Sequence, residues 1–181
     1  MSGPFWTSDT HYNHANIIAY SHRPYGGLAE MTEALIKNWN DVVGPEDVIY
    51  HLGDFAMGDK GLIPGIFARL NGIKHLVLGN HDMKHNGVTM LKQIEEAPWA
   101  SINKELTVTV DGYKLYMRHE PNMAFLPNAD ADFHLCGHVH NSWNRVGPII
   151  NVGVDVNDFR PKNIHALVAM EEVKGQSHRG Y

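Results

Sequence analysis

Strand-like runs of apolar and β-branched residues in this chain keep ending in the same kind of polar cluster. That recurrence limits the folds open to the chain more than any single motif does. Phe5-Trp6-Thr7 runs into Ser8-Asp9-Thr10-His11, Asp47 to Leu52 into Gly53-Asp54, and Ile73 to Leu78 into Gly79-Asn80-His81-Asp82. Later, Tyr113 to Met117 meets Arg118-His119, and Phe133 to Cys136 meets Gly137-His138-Val139-His140. Each cluster alone has an ordinary explanation: Gly-Asp is a common turn, Asn80 suits a turn, and an isolated histidine is more often a hydrogen-bonded structural residue than a ligand. Their repetition needs a common cause. Strand ends along one edge of a sheet converge in space, and the crevice outside their carboxyl ends is where α/β proteins bind ligands.

The rest of the chain supplies the framework. Met31, Ala34, Leu35, Trp39, Val42 and Val43 recur at three- and four-residue spacing and predict a helix closed by Gly44-Pro45. Leu62 to Leu70 reads as a short helix stopped by Gly72, despite Pro64 and Gly65. Glu105 to Val110, the turn signal Asp111-Gly112 and the alternating segment from Tyr113 predict a β-hairpin. Further strands are expected at Phe133 to Cys136, Ile149 to Val156 and His165 to Met170. Strand–helix alternation followed by a strand-rich half makes this an α/β (α+β) chain with mixed sheets covered by helices. With 181 residues, 43% of them hydrophobic, and no linker-like stretch or internal repeat, residues 1–181 are expected to form one domain with a frayed tail from about Lys174.

Composition excludes several function classes. The formal net charge is −5 and no Lys/Arg cluster is present, which argues against an extended nucleic-acid partner. Neither a membrane-spanning apolar run nor a signal-peptide pattern is seen, so a cytoplasmic protein is expected. The one cysteine, Cys136, lies in the apolar run DFHLCGH and reads as a buried small hydrophobe. Histidine is the outlier at thirteen residues, and it is the commonest metal ligand.

In Asp9-x-His11 and His138-x-His140, an extended backbone would turn the middle residue away and leave the flanking side chains on one side. Two such pairs facing each other could grip metal. Carboxylate, imidazole and amide oxygen without thiolate suit Mn, Fe, Co, Ni or Zn better than an all-oxygen Ca or Mg cage. Asn128 to Asp132 fails as a calcium loop, because Phe133 stands where a glycine is needed and Val139 where a glutamate is needed.

The ordered series D-x-H, G-D, G-N-H-D, H and G-H-x-H, from Asp9 to His140, resembles the calcineurin-like metallophosphoesterase superfamily. The resemblance implies a four-layer α-β-β-α sandwich of two mixed β-sheets flanked by helices. It also implies two divalent transition-metal ions at the strand ends, Mn first among Mn, Fe, Ni, Co and Zn. Asp9, His11 and His140 would hold one ion, Asn80, His119 and His138 the other, and Asp54 would bridge both. His81 would face the substrate as the catalytic residue, and Asp82 would hold the loop. Two divalent ions carry about +4 and the ligands Asp9 and Asp54 about −2, so the centre would attract phosphate inside an acidic protein. The implied reaction is hydrolysis of a small phosphate mono- or diester, a nucleotide or related metabolite, by attack of a metal-bridging hydroxide. His81, not needed as a ligand, is free to protonate the leaving oxygen or to hold a phosphoryl oxygen.

Protein Ser/Thr phosphatases of that superfamily carry GDxxDRG. Here Met57 replaces the second aspartate and no arginine follows, which disfavours a phosphoprotein substrate. The segment from His14 to Pro24 is similar to small bacterial and phage-borne members, and within it His14, Asn16 and Arg23 are candidate substrate contacts. Arg118 should alternate away from His119 and be structural. The alternative to an enzyme is a catalytically silent binding scaffold of the same fold, and such proteins typically lose ligands or the catalytic histidine. Here every position is filled.

Overall fold

The computed structural model describes residues 3–57, 60–84, 91–128 and 130–171. The tail expected to fray from Lys174 lies outside the described residues.

Two five-stranded mixed sheets form the frame. The first contains β1 (Phe5–Thr7), β2 (Val48–His51), β3 (Ile73–Val77), β4 (Ser101–Asn103) and β10 (Lys162–Asn163), in the order β10-β1-β2-β3-β4. β1, β2 and β3 run parallel, with Thr7 opposite His51 and His51 opposite Leu76. The chain therefore leaves all three at one edge, which is what gathers the segments carrying Asp9, Asp54 and Asn80. The second sheet contains β5 (Glu105–Val110), β6 (Tyr113–Arg118), β7 (Phe133–Cys136), β8 (Arg145–Val146) and β9 (Ile149–Asn151), in the order β5-β6-β7-β9-β8. Here β6, β7 and β9 are parallel, and the register Met117–Leu135–Ile150 brings His119 and His138 to the matching edge. The two edges join where Ser8 bridges Gly153 and the Val154 N–H donates to the Ser8 carbonyl at 3.0 Å.

Helices α1 (Ala15–Tyr20), α2 (Leu28–Asn40), α3 (Ile63–Phe67) and α4 (Lys92–Glu95) cover the outside of the first sheet, and α5 (Ile164–Val168) closes the layer between the sheets. On α2, Met31, Leu35, Ile36 and Trp39 form the buried stripe, and each large apolar side chain so buried contributes about 1.5–3 kcal/mol. The Trp39 indole N–H donates to the Asn71 carbonyl at 3.0 Å, which satisfies its one polar atom. Between the sheets, Trp6, Leu52 and Val77 meet Leu115, Met117, Leu135 and Ile150. Helical cover is concentrated on the first sheet; over the second, Phe125 stacks on Tyr116 at 6.3 Å and 11°. Among the described residues no helix is long and apolar enough to cross a membrane.

The expected hairpin forms between β5 and β6, with Asp111 at φ 49° and Gly112 at φ 85°, the left-handed pair that matches strand twist. Three expectations need correction. His165 to Met170 is not a strand: the Asn163 side chain accepts from the Ala166 N–H at 2.9 Å and caps α5, whose Ile164 and Leu167 share one buried face. The strand expected over Ile149 to Val156 stops at Asn151, because the chain turns at Gly153 into a 3-10 segment over Val154–Val156. The helix expected over Leu62 to Leu70 is regular only over Ile63–Phe67, with a 3-10 turn, Lys60–Leu62, leading into it.

Candidate metal centre

Beyond β1 and β2 the parallel pairing continues as single hydrogen bonds: the N–H groups of Asp9 and His11 donate to the carbonyls of Gly53 and Asp54, each at 3.0 Å. These segments are not extended. Asp9, His11, Asp54, His138 and His140 all have positive φ, between 46° and 70°, a region that costs a non-glycine residue about 1 kcal/mol or more. The convergence of Asp9 and His11 thus comes from left-handed turns, and the extended-chain alternation expected of the D-x-H pairs is corrected accordingly. The ligand atoms of Asp9, His11 and His140 lie within 4.8 Å of one another, and so do those of Asp9, Asp54 and His119.

Asp54 sits in the middle. Its Oδ2 lies 3.6 Å from His11 Nε2 and 3.3 Å from His119 Nε2, while its Oδ1 accepts from the His81 N–H at 2.8 Å. Asp82 holds this loop from beneath: Oδ2 accepts from the N–H groups of Asp54 and Gly79 at 2.8 and 2.9 Å, and Oδ1 from Phe55 at 3.1 Å. A side chain on Gly79 would collide with the Asp54 carboxylate, and one on Gly137 with the Asp9 carboxylate and the Ser8 hydroxyl. Both glycines are there to let backbone approach acid.

The remaining ligand candidates gather on either side. His140 donates from Nδ1 to Asp155 Oδ2 at 2.8 Å, and His119 from Nδ1 to the Leu52 carbonyl at 2.6 Å, so each turns its Nε2 lone pair inward. Asn80 Oδ1 lies 3.1 Å from both His119 Nε2 and His138 Nδ1. The His11 Nε2 is buried and has no hydrogen-bond partner. Acceptor oxygens and imidazole nitrogens that converge in this way fit a cation. Without one, a proton takes its place: burial alone would lower the His119 pKa, but the hydrogen bond and charge of Asp54 outweigh it and raise it to about 10. Burial pushes the Asp9 pKa up, and it pushes that of His11 well down against the opposing pull of Asp54.

His81 stands at the mouth. Its side chain is 39% exposed and its Nε2 lies 4.0 Å from Asp54 Oδ2, outside hydrogen-bond reach. His14 Nδ1 lies 3.3 Å from His11 Nδ1, and with the exposed Asn16 it lines a cleft of about 670 Å³ beside the centre. Arg23 does not reach that cleft. It is 4% exposed, and its guanidinium is committed to the carbonyls of Asp9 and Thr10 at 2.7 and 2.9 Å and to Asp155 at 2.8 and 3.1 Å. The expected substrate contact is therefore corrected to a brace. Arg118 is exposed and reaches Glu120 at 3.4 Å.

Asp155 was not legible as a site residue, since it lies in the run IINVGVDV that reads as strand. Its partners are 132 and 15 positions away in sequence, and no local signal marks them. The cleft residues Tyr20, Met57, Val139, Asn141 and Ser142 likewise carry no motif of their own.

The chain is 32% identical over 174 residues to an uncharacterised protein of Methanocaldococcus jannaschii, covering 91% of this chain and 89% of that one. It is 36% identical over 88 residues to the gene 66 protein of Mycobacterium phage L5, covering 47% of this chain and 42% of the phage protein. Among solved structures it resembles a protein of unknown function from Aquifex aeolicus, at 29% identity and a TM-score of 0.66 over 87% of this chain and 93% of that one. Residues 6–154 match the calcineurin-like phosphoesterase superfamily domain. The chain belongs to that superfamily and is a metal-dependent phosphoester hydrolase.

Proposed function

We propose that the chain hydrolyses a small phosphate mono- or diester, a nucleotide or a related metabolite, at a dinuclear centre of divalent transition metals with Mn the first choice. The observation that carries this reading is the position of Asp54 Oδ2 between His11 Nε2 and His119 Nε2, at 3.6 and 3.3 Å. One carboxylate oxygen faces a histidine from each ligand group. Asp9, His11 and His140 would hold one ion and Asn80, His119 and His138 the other, with Asp9 also within reach of the second group. When bound, two such ions make a water acidic near neutral pH and neutralise charge on phosphoryl oxygens.

The chain's own residues do the rest. Asp82 fixes the loop from which Asn80 and His81 project. The His81 N–H orients the Asp54 carboxylate, while its half-exposed ring faces the cleft, placed to donate a proton to the leaving oxygen or to hold a phosphoryl oxygen. His14 and Asn16 contact substrate from the cleft wall.

Elemental analysis of replete protein, followed by an ester panel with Mn, Ni, Co, Mg and Zn, tests the reading. Two ions per chain and hydrolysis abolished by EDTA are expected. At most one ion would sink the dinuclear centre. Two ions without turnover of any ester would move the protein to the binding-scaffold class.

A further inference from the structure

Among the described residues the centre borders two clefts. The larger, about 670 Å³, is walled by Ile17, Tyr20, Met57 and Val139, and Tyr20 is 50% exposed at its rim. The smaller, about 340 Å³, is bounded by Leu78, Met83, Lys104, Arg118 and Glu120. His138 and His140 line the first, whereas Asn80 and His119 line the second. The Asn80 amide oxygen lies 3.1 Å from His119, which lines the smaller cleft, and 3.1 Å from His138, which lines the larger.

Their chemistry differs. The first offers aliphatic walls, an exposed aromatic ring and the amide of Asn16, which suits the flat face and polar edge of a nucleobase. The second sets two cations against one carboxylate. Arg118 shares its charge with Glu120 at 3.4 Å. Lys104, which carries the chain from β4 to β5, is exposed and pairs with no carboxylate among the described residues.

A phosphomonoester has one organic arm and uses one such cleft. A phosphodiester has two arms and uses both. We propose that the substrate is a nucleoside phosphodiester, with the base of one arm stacked on Tyr20 and a further phosphate on the other arm held by Lys104 and Arg118. A short 5′-phosphorylated oligonucleotide has this form. The inference rests on the phosphoesterase reading and narrows it to a substrate class. Water adds across one P–O ester bond: its oxygen goes to phosphorus and a proton to the departing alkoxide, which leaves a phosphomonoester and an alcohol.

The test compares metal-loaded wild type, Tyr20→Ala and Lys104→Glu, each with its metal content measured. Turnover is followed for thymidine 5′-phosphate and for the dinucleotides TpT and pTpT. Binding is measured by calorimetry with pTpT carrying a non-hydrolysable methylphosphonate linkage. Wild type is expected to cleave pTpT in preference to TpT, and both in preference to the monoester. Lys104→Glu should erase the preference for pTpT and weaken analogue binding about tenfold at low salt, a difference that shrinks in high salt as exposed charges are screened. Tyr20→Ala should weaken TpT and pTpT alike by about tenfold, the loss of one stacked base. Metal content should stay at the wild-type level in both variants.

A preference for the monoester, or equal use of TpT and pTpT with no response to Lys104→Glu, would overturn the proposal and leave the phosphoesterase reading intact. Turnover of no ester by metal-loaded protein would overturn that reading instead, and calorimetry would then decide the clefts. Binding sensitive to Lys104 and Tyr20 would uphold them, and its absence would end them.

Discussion

The two groups of residues proposed to hold the two ions are built to different standards. On the Asp9–His11–His140 side, Asp9 and His11 are at most 1% exposed, and His140 is backed by Asp155, whose side chain is also 1% exposed. Asp155 in turn meets Arg23, which holds the carbonyls of Asp9 and Thr10. Ligand, carboxylate, guanidinium and ligand backbone close a loop. On the Asn80–His119–His138 side, only His119 is buried and backed, by the Leu52 carbonyl, whereas Asn80 and His138 are exposed. A ligand set whose neighbours fix its geometry loses little freedom on binding a cation, and an open one loses more. The enclosed half should therefore hold its ion more tightly. On the proposed reading the open half, whose residues line both clefts, is the one where substrate and solvent would exchange.

Removing the residue common to both halves should have the largest effect. Asp54→Ala deletes the oxygen between His11 and His119, so both ions should be lost and hydrolysis should fall below detection. Elemental analysis after dialysis decides the point. Retention of one ion at full occupancy would mean that the enclosed half stands alone and that Asp54 belongs to the open half.

His81 comes next, because it serves the reaction without belonging to either ligand group. His81→Asn should leave metal content unchanged and slow hydrolysis of alkyl esters by about 10²–10⁴-fold, the usual contribution of a general acid. Esters of p-nitrophenol, whose leaving group needs no proton, should suffer less. An equal loss for both ester classes would make His81 a holder of phosphoryl oxygen. Loss of one ion would make it a ligand of the open half.

The sequence makes the candidate ligands legible and hides their supports, for a physical reason. A ligand must stand at a strand end, and strand ends are marked by the switch from apolar run to Gly, Asn, Asp or His, as at Gly53-Asp54 and Gly79-Asn80. A support need only be near in space. Arg23 and Asp155 are 132 residues apart, and each alone suggests something else: Arg23 a phosphate contact, Asp155 a strand residue. The helix α5 differs from the expected strand for another reason. His165 to Met170 is a short apolar run without alternation, which helix and strand share, but Asn163 three residues before Ala166 was an available cap signal. The left-handed φ of Asp9, His11, His138 and His140 could not be read from residue type, because only a few per cent of non-glycine residues adopt it, even though Asp and His are enriched among them.

The brace separates the halves more finely than either residue above. Asp155→Asn replaces the acceptor of the His140 Nδ1–H and leaves the Arg23 charge unpaired in a buried place. The enclosed half should lose about 10–100-fold in metal affinity, with the open half changed little. Stability should fall by about 3–5 kcal/mol, the usual result of breaking a buried pair from one side. Chelator titration, with thermal unfolding run alongside, gives both numbers. Two ions weakened equally would erase the distinction between the halves.

The smallest effect should come from the cleft wall. Asn16 is exposed on α1, lines the larger cleft and follows two residues after His14, which touches His11. If the enclosed half is insulated by its own packing, a change at Asn16 should be felt by substrate and not by metal. Asn16→Ala removes one neutral hydrogen bond, worth about 0.5–1.5 kcal/mol, so KM should rise about two- to twelvefold. The value of kcat should stay put, because an amide far from the departing oxygen binds ground state and transition state alike. Metal content should match wild type. Steady-state kinetics on one good ester, with elemental analysis of the same preparation, is enough to check this. A fall in kcat at constant KM would bring Asn16 to the reacting phosphoryl group. A fall in metal content would show that α1 helps hold His11, in which case the enclosed half extends to the cleft wall and the boundary between the two halves lies elsewhere.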